Sequence, residues 1–336
     1  MKNRSNLDIE TMLTAKIRES VESAGDPDAD RGRYSYTVTD ADHGSTVRQI
    51  MKKRLGFSGR LIAKFKRGLG TVKRNGVPVR NFAEVISGDV LDIIMPEDVS
   101  HFEPEDIPVQ VIYEDADLIL VNKQPGVTVH PTKTHPAGTL ANGLMKRMLE
   151  KGDRYKIRFV NRLDMDTSGI LIVARNSHCQ DAISKMMHQD QVEKYYYAIV
   201  HGIVENDEGT IDAPLGRSGE DPVRRAVVED GSPSVTHYRV IERLSGGFTF
   251  LRLRLETGRT HQIRVHLAHM GHPIVGDPLY GKEEPELIGR QALHAGRIVF
   301  LHPVSGEPID AEAPLPEDFQ SLLEQLRGSD QPVKEQ

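Results

Sequence analysis

From residue 109 onward the apolar positions recur mainly with a period of two, in segments that are not separated by helices at regular intervals. "VQVIYEDADLILVNKQPG" reads as two strands around a polar turn, and "ILIVA" as a strand buried on both faces. "VEKYYYAIVHG", "SVTHYRVIER" and "FTFLRLRLE" alternate as further strands. Helical spacing is confined to shorter pieces: one from Thr139 to Glu150, and "THQIRVHLAHMG", with Thr260 as its cap and Gly271 as its terminator. Parallel neighbours need a crossover between them, usually a helix, so a chain without a steady strand–helix beat cannot be doubly wound. The pattern specifies an α+β fold: a mixed, mostly antiparallel central sheet with flanking helices. No internal repeat with a period of 20–50 residues interrupts it.

The 336 residues suffice for about two domains, and charge marks the division. The chain carries a net −6, but residues 34–97 carry +5 and residues 98–336 carry −10. Between Arg48 and Arg80 stand eleven Lys or Arg and no Asp or Glu. This basic island is patterned for folding. Val47, Ile50 and Met51 recur at helical spacing, Ser58 caps a second helix with Leu61, Ile62 and Phe65, and "KRNGVPV" is strand, Asn-Gly turn, strand. A folded basic patch on an acidic protein supplies salt-dependent phosphate contacts, through Arg48, Lys52, Lys53, Arg54, Arg60, Lys64, Lys66, Arg67, Lys73 and Arg74. The division expected is therefore an N-terminal arm over 1–33, a basic unit over 34–97, a Pro- and acid-rich linker over 98–108, a main domain over 109–325 and a tail over 326–336. Within the arm the spacing admits a short helix from Leu7 to Val21.

No apolar window reaches the roughly 18 residues of a membrane span, the first residues lack a secretory core, and Cys179 is the single cysteine. The expectation is a cytoplasmic protein without disulfides or membrane contact, in which Cys179 is an inert buried thiol. "SGGF" and "GLG" lack the context of a phosphate-binding loop, so no nucleotide cofactor is expected. His261, His266, His269 and His272 lack the i, i+4 pair that sets two metal ligands on one helical face, and no metal site is assigned.

"FVNRLDMDTSGILIVAR" places Asp164 and Asp166 in a loop at the lip of a buried strand, where a rigid frame presents a side chain to a cleft. Thr167, Ser168 and Gly169 read as turn formers that relieve a sharp bend. An Asp in such a loop also serves as a purely local acceptor. An Asp-x-Asp phosphatase reading fails because Asn161 and Arg162 interrupt the strand before the pair, and the long strand follows it.

Taken in order, "VNKQPGVTVHP", "VNRLDMDTSGILIVAR", "KYYYAIVHG", "TGRTHQIRVHLAHMGHPIVGDPLYG" and "ALHAGRIVFLHPVSGEPI" resemble the RluA-type RNA pseudouridine synthases. The basic unit, with its "VKRNGVPV" hairpin and closing "SGDVLDIIM", is similar to the alpha-L RNA-binding module. The resemblance implies a catalytic Asp164 and puts Asp166 in a variable slot. It implies that Tyr196 packs on the target base, that Arg264 pairs with the aspartate, and that Arg162 engages RNA beside the flipped nucleotide. Lys194, in the same Lys-x-Tyr motif as Tyr196, joins the RNA-facing set. Tyr195 and Tyr197 alternate to the opposite side of the strand. The implied partner is RNA, ribosomal RNA of the large subunit first and transfer RNA as the nearest alternative, with no cofactor and no obligate protein partner. Many relatives have His where Asn161 stands, and Pro where Gln124 stands. A non-catalytic RNA-binding protein would share the basic features, but not the combination of Asp164, Tyr196 and Arg264.

Overall fold

The basic island folds because its turns and caps are chemically complete. In the computed structural model, which describes residues 32–96, 98–219 and 223–328, Thr46 and Gln49 form a capping box that starts α1 (Val47–Lys53). The Ser58 hydroxyl accepts from the Leu61 N–H and starts α2 (Gly59–Lys66), as its position predicts. Asn75 and Gly76 both adopt positive φ, 50° and 81°, and join β2 (Thr71–Arg74) to β3 (Val77–Val79). With β1 (Arg33–Thr37) and β4 (Val90–Ile94) they make a four-stranded sheet in the order β1-β4-β2-β3. Val47, Ile50, Met51, Leu61, Ile62 and Phe65 pack on it as a separate core. Arg33, expected in the arm, is already in β1 opposite Ile94. The helix read over Leu7–Val21 lies outside the described residues.

The larger sheet has ten strands among the described residues. Its path runs β10 (Glu208–Asp212), β13 (Val235–Leu244), β14 (Phe248–Leu255), β9 (Glu193–His201), β15 (Leu293–Leu301), β8 (Ser168–Ala174), β6 (Leu118–Lys123), β5 (Gln110–Glu114). β16 (Pro308–Glu312) pairs with β15, β7 (Arg158–Phe159) pairs with β8, and β11 (Leu215–Arg217) and β12 (Arg225–Val227) form a separate ribbon. All pairings are antiparallel except β15 with β8, which gives the mixed sheet the sequence pattern specifies. The unbroken apolar run in β8 has a physical cause. Leu171 and Val173 enter the core on one face, whereas Ile170, Ile172 and Ala174 enter the core on the other. Helices α3 (Leu140–Glu150), α4 (Ser177–His188), α5 (Gln262–His269) and α6 (Glu317–Gly328) flank the sheet.

Two local expectations are corrected. Thr260 does not cap α5: His261 occupies the cap position at φ 57°, without a side-chain cap. The tail does not start at 326, because Leu326 is buried and Arg327 pairs with Glu242, which extends α6 to Gly328. Residues 98–108, other than in charge and proline content, do not behave as a free tether. The Ser100 hydroxyl accepts from the Ile157 N–H at 3.0 Å, the Asn142 amide donates to the Glu103 carbonyl at 2.8 Å, and Asp98 pairs with Arg158 at 2.8 Å.

The small unit docks on the large one. The Tyr34 hydroxyl donates to Asp117 at 2.8 Å, Asn176 donates to the same carboxylate at 2.6 Å, and the Phe57 ring lies 4.7 Å from that of His178. Asn176 and His178 follow the last residue of β8, while Asp164 precedes its first. Seven extended residues at about 3.3 Å each separate the two ends by roughly 20 Å.

Candidate active site

Asp164 is held at the mouth of the sheet by long-range contacts rather than by local turn chemistry. The Thr167 N–H closes a turn on the Asp164 carbonyl at 3.1 Å, but Ser168 and Gly169 already belong to β8. Ser168 meets His294 Nδ1 at 2.9 Å, and Gln291 donates to the Thr167 hydroxyl at 3.2 Å. Gly169 has φ 112°, and a Cβ there would lie 2.2 Å from the Ala295 carbonyl oxygen. The "TSG" stretch is therefore what lets β8 and β15 approach in parallel beside the loop. On the other side, Asn161 accepts from the Ile172 N–H at 2.8 Å and donates to the Ile170 carbonyl at 3.3 Å. An asparagine at this position thus ties the loop to β8 through both halves of its amide.

Arg264, in α5, is the centre of the electrostatics. Its Nε and Nη2 each donate at 2.7 Å to the two oxygens of Asp277, and its Nη1 donates to Asp164 Oδ2 at 3.2 Å. Asp277 is fully buried and also accepts from the Leu279 and Tyr280 N–H groups. Burial alone would raise its carboxyl, but the guanidinium and the two backbone donors outweigh this and hold it below the usual value. The bidentate pair fixes the plane of the guanidinium, so its remaining edge points at Asp164. Asp277 was not singled out in the sequence; the "GDP" after the helix that carries Arg264 is the only local trace of it.

His261 completes this side. Its Nε2 lies 3.7 Å from Asp164 Oδ2, and its Nδ1 lies 2.9 Å from the Tyr280 hydroxyl. That hydroxyl also accepts from the Arg225 N–H, so Tyr280 links the His261 ring to β12. Burial lowers the pKa of His261, against the opposing pull of Asp164.

Tyr196, on β9, has 8% of its surface exposed and lines a small cavity of about 60 Å³ with Asp164, Arg162 and Arg264. Burial, and then the charge of Asp164, push its phenol well above the usual value. It is a neutral hydroxyl, with no hydrogen-bond partner among the described residues. The small cavity adjoins a cleft of about 540 Å³ that shares Arg162, Asp164, His261 and Arg264 and adds His130, Asp166 and Gln291. Arg162 is exposed at its edge and forms no ion pair among the described residues.

Lys194 lines neither cavity: it is half-buried on β9 near Asp190 and Arg254, and burial lowers its amine pKa. In the small unit Arg54 pairs with Asp42, Lys64 with Asp98 and Arg74 with Asp89. Arg48, Lys52, Lys53, Arg60, Lys66, Arg67 and Lys73 form no ion pair among the described residues. Cys179 is fully buried, and burial raises its thiol far above the usual range. His266 is taken up by Thr236 and the Ala213 carbonyl.

The model of the RNA pseudouridylate synthase family matches residues 117–269, which include Asp164, Tyr196 and Arg264. An uncharacterised RNA pseudouridine synthase, YjbO of Bacillus subtilis, is 41% identical over 80% of this chain and 95% of its own length. The ribosomal large subunit pseudouridine synthase D of Xanthomonas campestris is 46% identical over 70% of this chain and 74% of its own. This chain belongs to the RluA-type family of RNA pseudouridine synthases. It is accordingly an isomerase, with the α+β fold of that family. Among solved structures, human RNA pseudouridylate synthase domain containing 1 superposes with a TM-score of 0.52 at 26% identity, covering 69% of this chain and 98% of its own.

One buried group braces the loop of this synthase from below. Lys123 is 0% exposed, and its ammonium donates to the carbonyls of Gln124 at 2.9 Å, Val127 at 2.9 Å and Met165 at 2.6 Å. Burial pushes its pKa down to about 7, yet three acceptors are the complement of an ammonium, since a neutral amine has only two N–H bonds to give. The Arg290 guanidinium donates to the Asp166 carbonyl at 2.9 Å, so the backbone after Asp164 is held from two directions. Lys123 sits in a motif quoted for the resemblance, but its apolar surroundings gave no reason to single it out.

Proposed function

We propose that this synthase converts uridines of large-subunit ribosomal RNA to pseudouridine in the cytoplasm, with Asp164 as its catalytic residue. In that reaction the glycosidic bond to ring nitrogen 1 breaks, the uracil turns, and the sugar carbon bonds ring carbon 5 while a proton moves from carbon to nitrogen. The change is redox-neutral and adds no water, so no co-reactant enters the balance. A hydrolytic glycosidase uses two carboxyl groups to bring in water, whereas one carboxylate suffices where the departing base is kept. The observation that carries the reading is the division of one guanidinium between Asp277 and Asp164, which orients a single carboxylate at the wall of a cleft beside a buried phenol.

A base inside folded RNA must be extruded before it meets such a carboxylate, and a tyrosine face offsets part of the lost stacking. Tyr196 fits that position, and its phenol, which burial and the charge of Asp164 make harder to ionise, is suited to donating a hydrogen bond rather than to acting as a base. Arg162, exposed at the cleft edge, suits a phosphate near the flipped nucleotide. Residues 34–97 would act as the RNA-binding module and the domain beginning at 109 as the catalyst, joined by the packed 98–108 segment. Similarity to the ribosomal large subunit pseudouridine synthase D of Xanthomonas campestris favours ribosomal RNA.

Asp164→Asn is expected to retain RNA binding and lose pseudouridine formation, while Asp166→Asn retains both. Turnover by the Asp164 variant would refute the assigned role. Chemical mapping of pseudouridines in cells with and without the protein identifies the target, and a difference confined to transfer RNA would reject the ribosomal assignment.

A further inference from the structure

The small unit carries a feature that its charge alone does not explain. A groove of about 950 Å³ runs between α2 and the β2–β3 hairpin, floored by apolar side chains such as Ile62 and edged by Arg48, Lys66, Arg67 and Arg80, with no carboxylate in its wall. At its rim stands Phe82, 76% exposed. Phe82 is the only aromatic among the large apolar residues left exposed within the described residues, and its neighbours Val79 and Ala83 pack on the small core while it does not. A phenylalanine left in water loses the benefit of burial, and four cations repel one another in a shared groove. Both costs are relieved by one kind of occupant: an aromatic ring that brings negative charge with it.

We infer that this groove is a binding site for an unpaired nucleotide of the RNA, its base stacked on Phe82 and its flanking phosphates held by Arg48, Lys66, Arg67 and Arg80. The inference rests on the reading that the small unit meets RNA, and it adds a preference for unpaired over fully paired segments. In a duplex the faces of the bases are covered by their neighbours, so duplex RNA meets the four cations without using the ring. The nucleotide is not the one that reacts, because the small unit docks at the end of β8 opposite Asp164.

The test uses the full chain and two fluorescent RNAs, a hairpin with an unpaired uridine loop and a fully paired duplex of equal length. Phe82→Ala should weaken hairpin binding about 5- to 150-fold, the fold-change equivalent of about 1–3 kcal/mol of base–aromatic stacking. Duplex affinity should be nearly unchanged, Phe82→Tyr should behave like the parent, and the salt slope should stay constant because no charge is lost. The double change Arg48→Gln with Arg80→Gln should instead flatten the slope, by about 0.7 for each single-strand phosphate contact removed. Because Phe82 lies outside the core, thermal unfolding of the alanine variant should match the parent. Equal hairpin affinity for the parent and Phe82→Ala overturns the inference and leaves the ring to a protein partner, as does an equal loss on hairpin and duplex. Pseudouridine formation is read in the same samples. Turnover without a Phe82 effect sinks the groove alone, whereas a Phe82 effect without turnover sinks the enzymatic reading alone.

Discussion

The Arg264–Asp277 pair makes a quantitative demand on stability as well as on activity. Replacing Asp277 with Leu removes the acceptor for two guanidinium N–H groups and for the N–H groups of Leu279 and Tyr280, in a site with no exposure at Asp277. Breaking one side of a buried ion pair costs about 3–5 kcal/mol. Arg264 keeps Asp164 as a second acceptor at 3.2 Å, which places the expected loss toward the lower end of that range. Adding Arg264→Met removes the orphaned charge and leaves an apolar contact of similar volume, so the double variant should be more stable than Asp277→Leu alone. Urea unfolding midpoints followed by circular dichroism measure this, and pseudouridine formation in the RNA measures activity. Neither variant should turn over, since both lose the oriented guanidinium edge that meets Asp164. A double variant as unstable as, or less stable than, the single one would refute the claim that the pair is an electrostatic unit with Asp277 as anchor. The pH dependence has a defined sign. The Asp277 carboxyl lies below its unfolded value, so its contribution is present above that value and is lost as pH falls through the folded one.

Two further outcomes follow from other parts of the molecule. Changing Lys52, Lys53 and Arg60 together to Gln, three cations without an acidic partner among the described residues, should weaken binding to duplex RNA and lower the salt slope by about 0.9 per lost phosphate contact; an unchanged slope would show that the footprint lies elsewhere. Burial takes the His178 imidazole down to about 4, so the unfolded chain binds its proton between that value and 6.5 while the docked chain does not. Stability should therefore rise with pH across this window and level off below it, where both states hold the proton. His178→Phe should remove part of that dependence in urea midpoints taken between pH 4.5 and 7.5; the same slope in both proteins would contradict a neutral His178 at the docking surface.

What the sequence discloses here is what repeats or closes over a few residues. The Ser58 cap, the Asn75–Gly76 turn and the two-faced burial of β8 all rest on local spacing, and so they could be read directly. His261 escaped because an αL cap on a non-glycine residue is a tertiary outcome. Its imidazole is held by Tyr280, nineteen residues away, and no spacing rule anticipates that. Gly169 was readable as a turn glycine but serves a different need, the close passage of β15, a strand more than a hundred residues downstream that inserts between β8 and β9. The same holds at the proposed active site. The motif resemblance pointed to Asp164 and Arg264, but a sequence cannot say which carboxylate owns the guanidinium. The geometry answers that Asp277 does, with two 2.7 Å contacts against one of 3.2 Å to Asp164. On the proposal that Asp164 is the reacting carboxylate, the difference is chemically sensible. A carboxylate that engages a nucleotide cannot also anchor its own orienting group, so the firm contacts would go to the buried Asp277, and Asp164 would keep one oxygen's worth of guidance and the freedom to react.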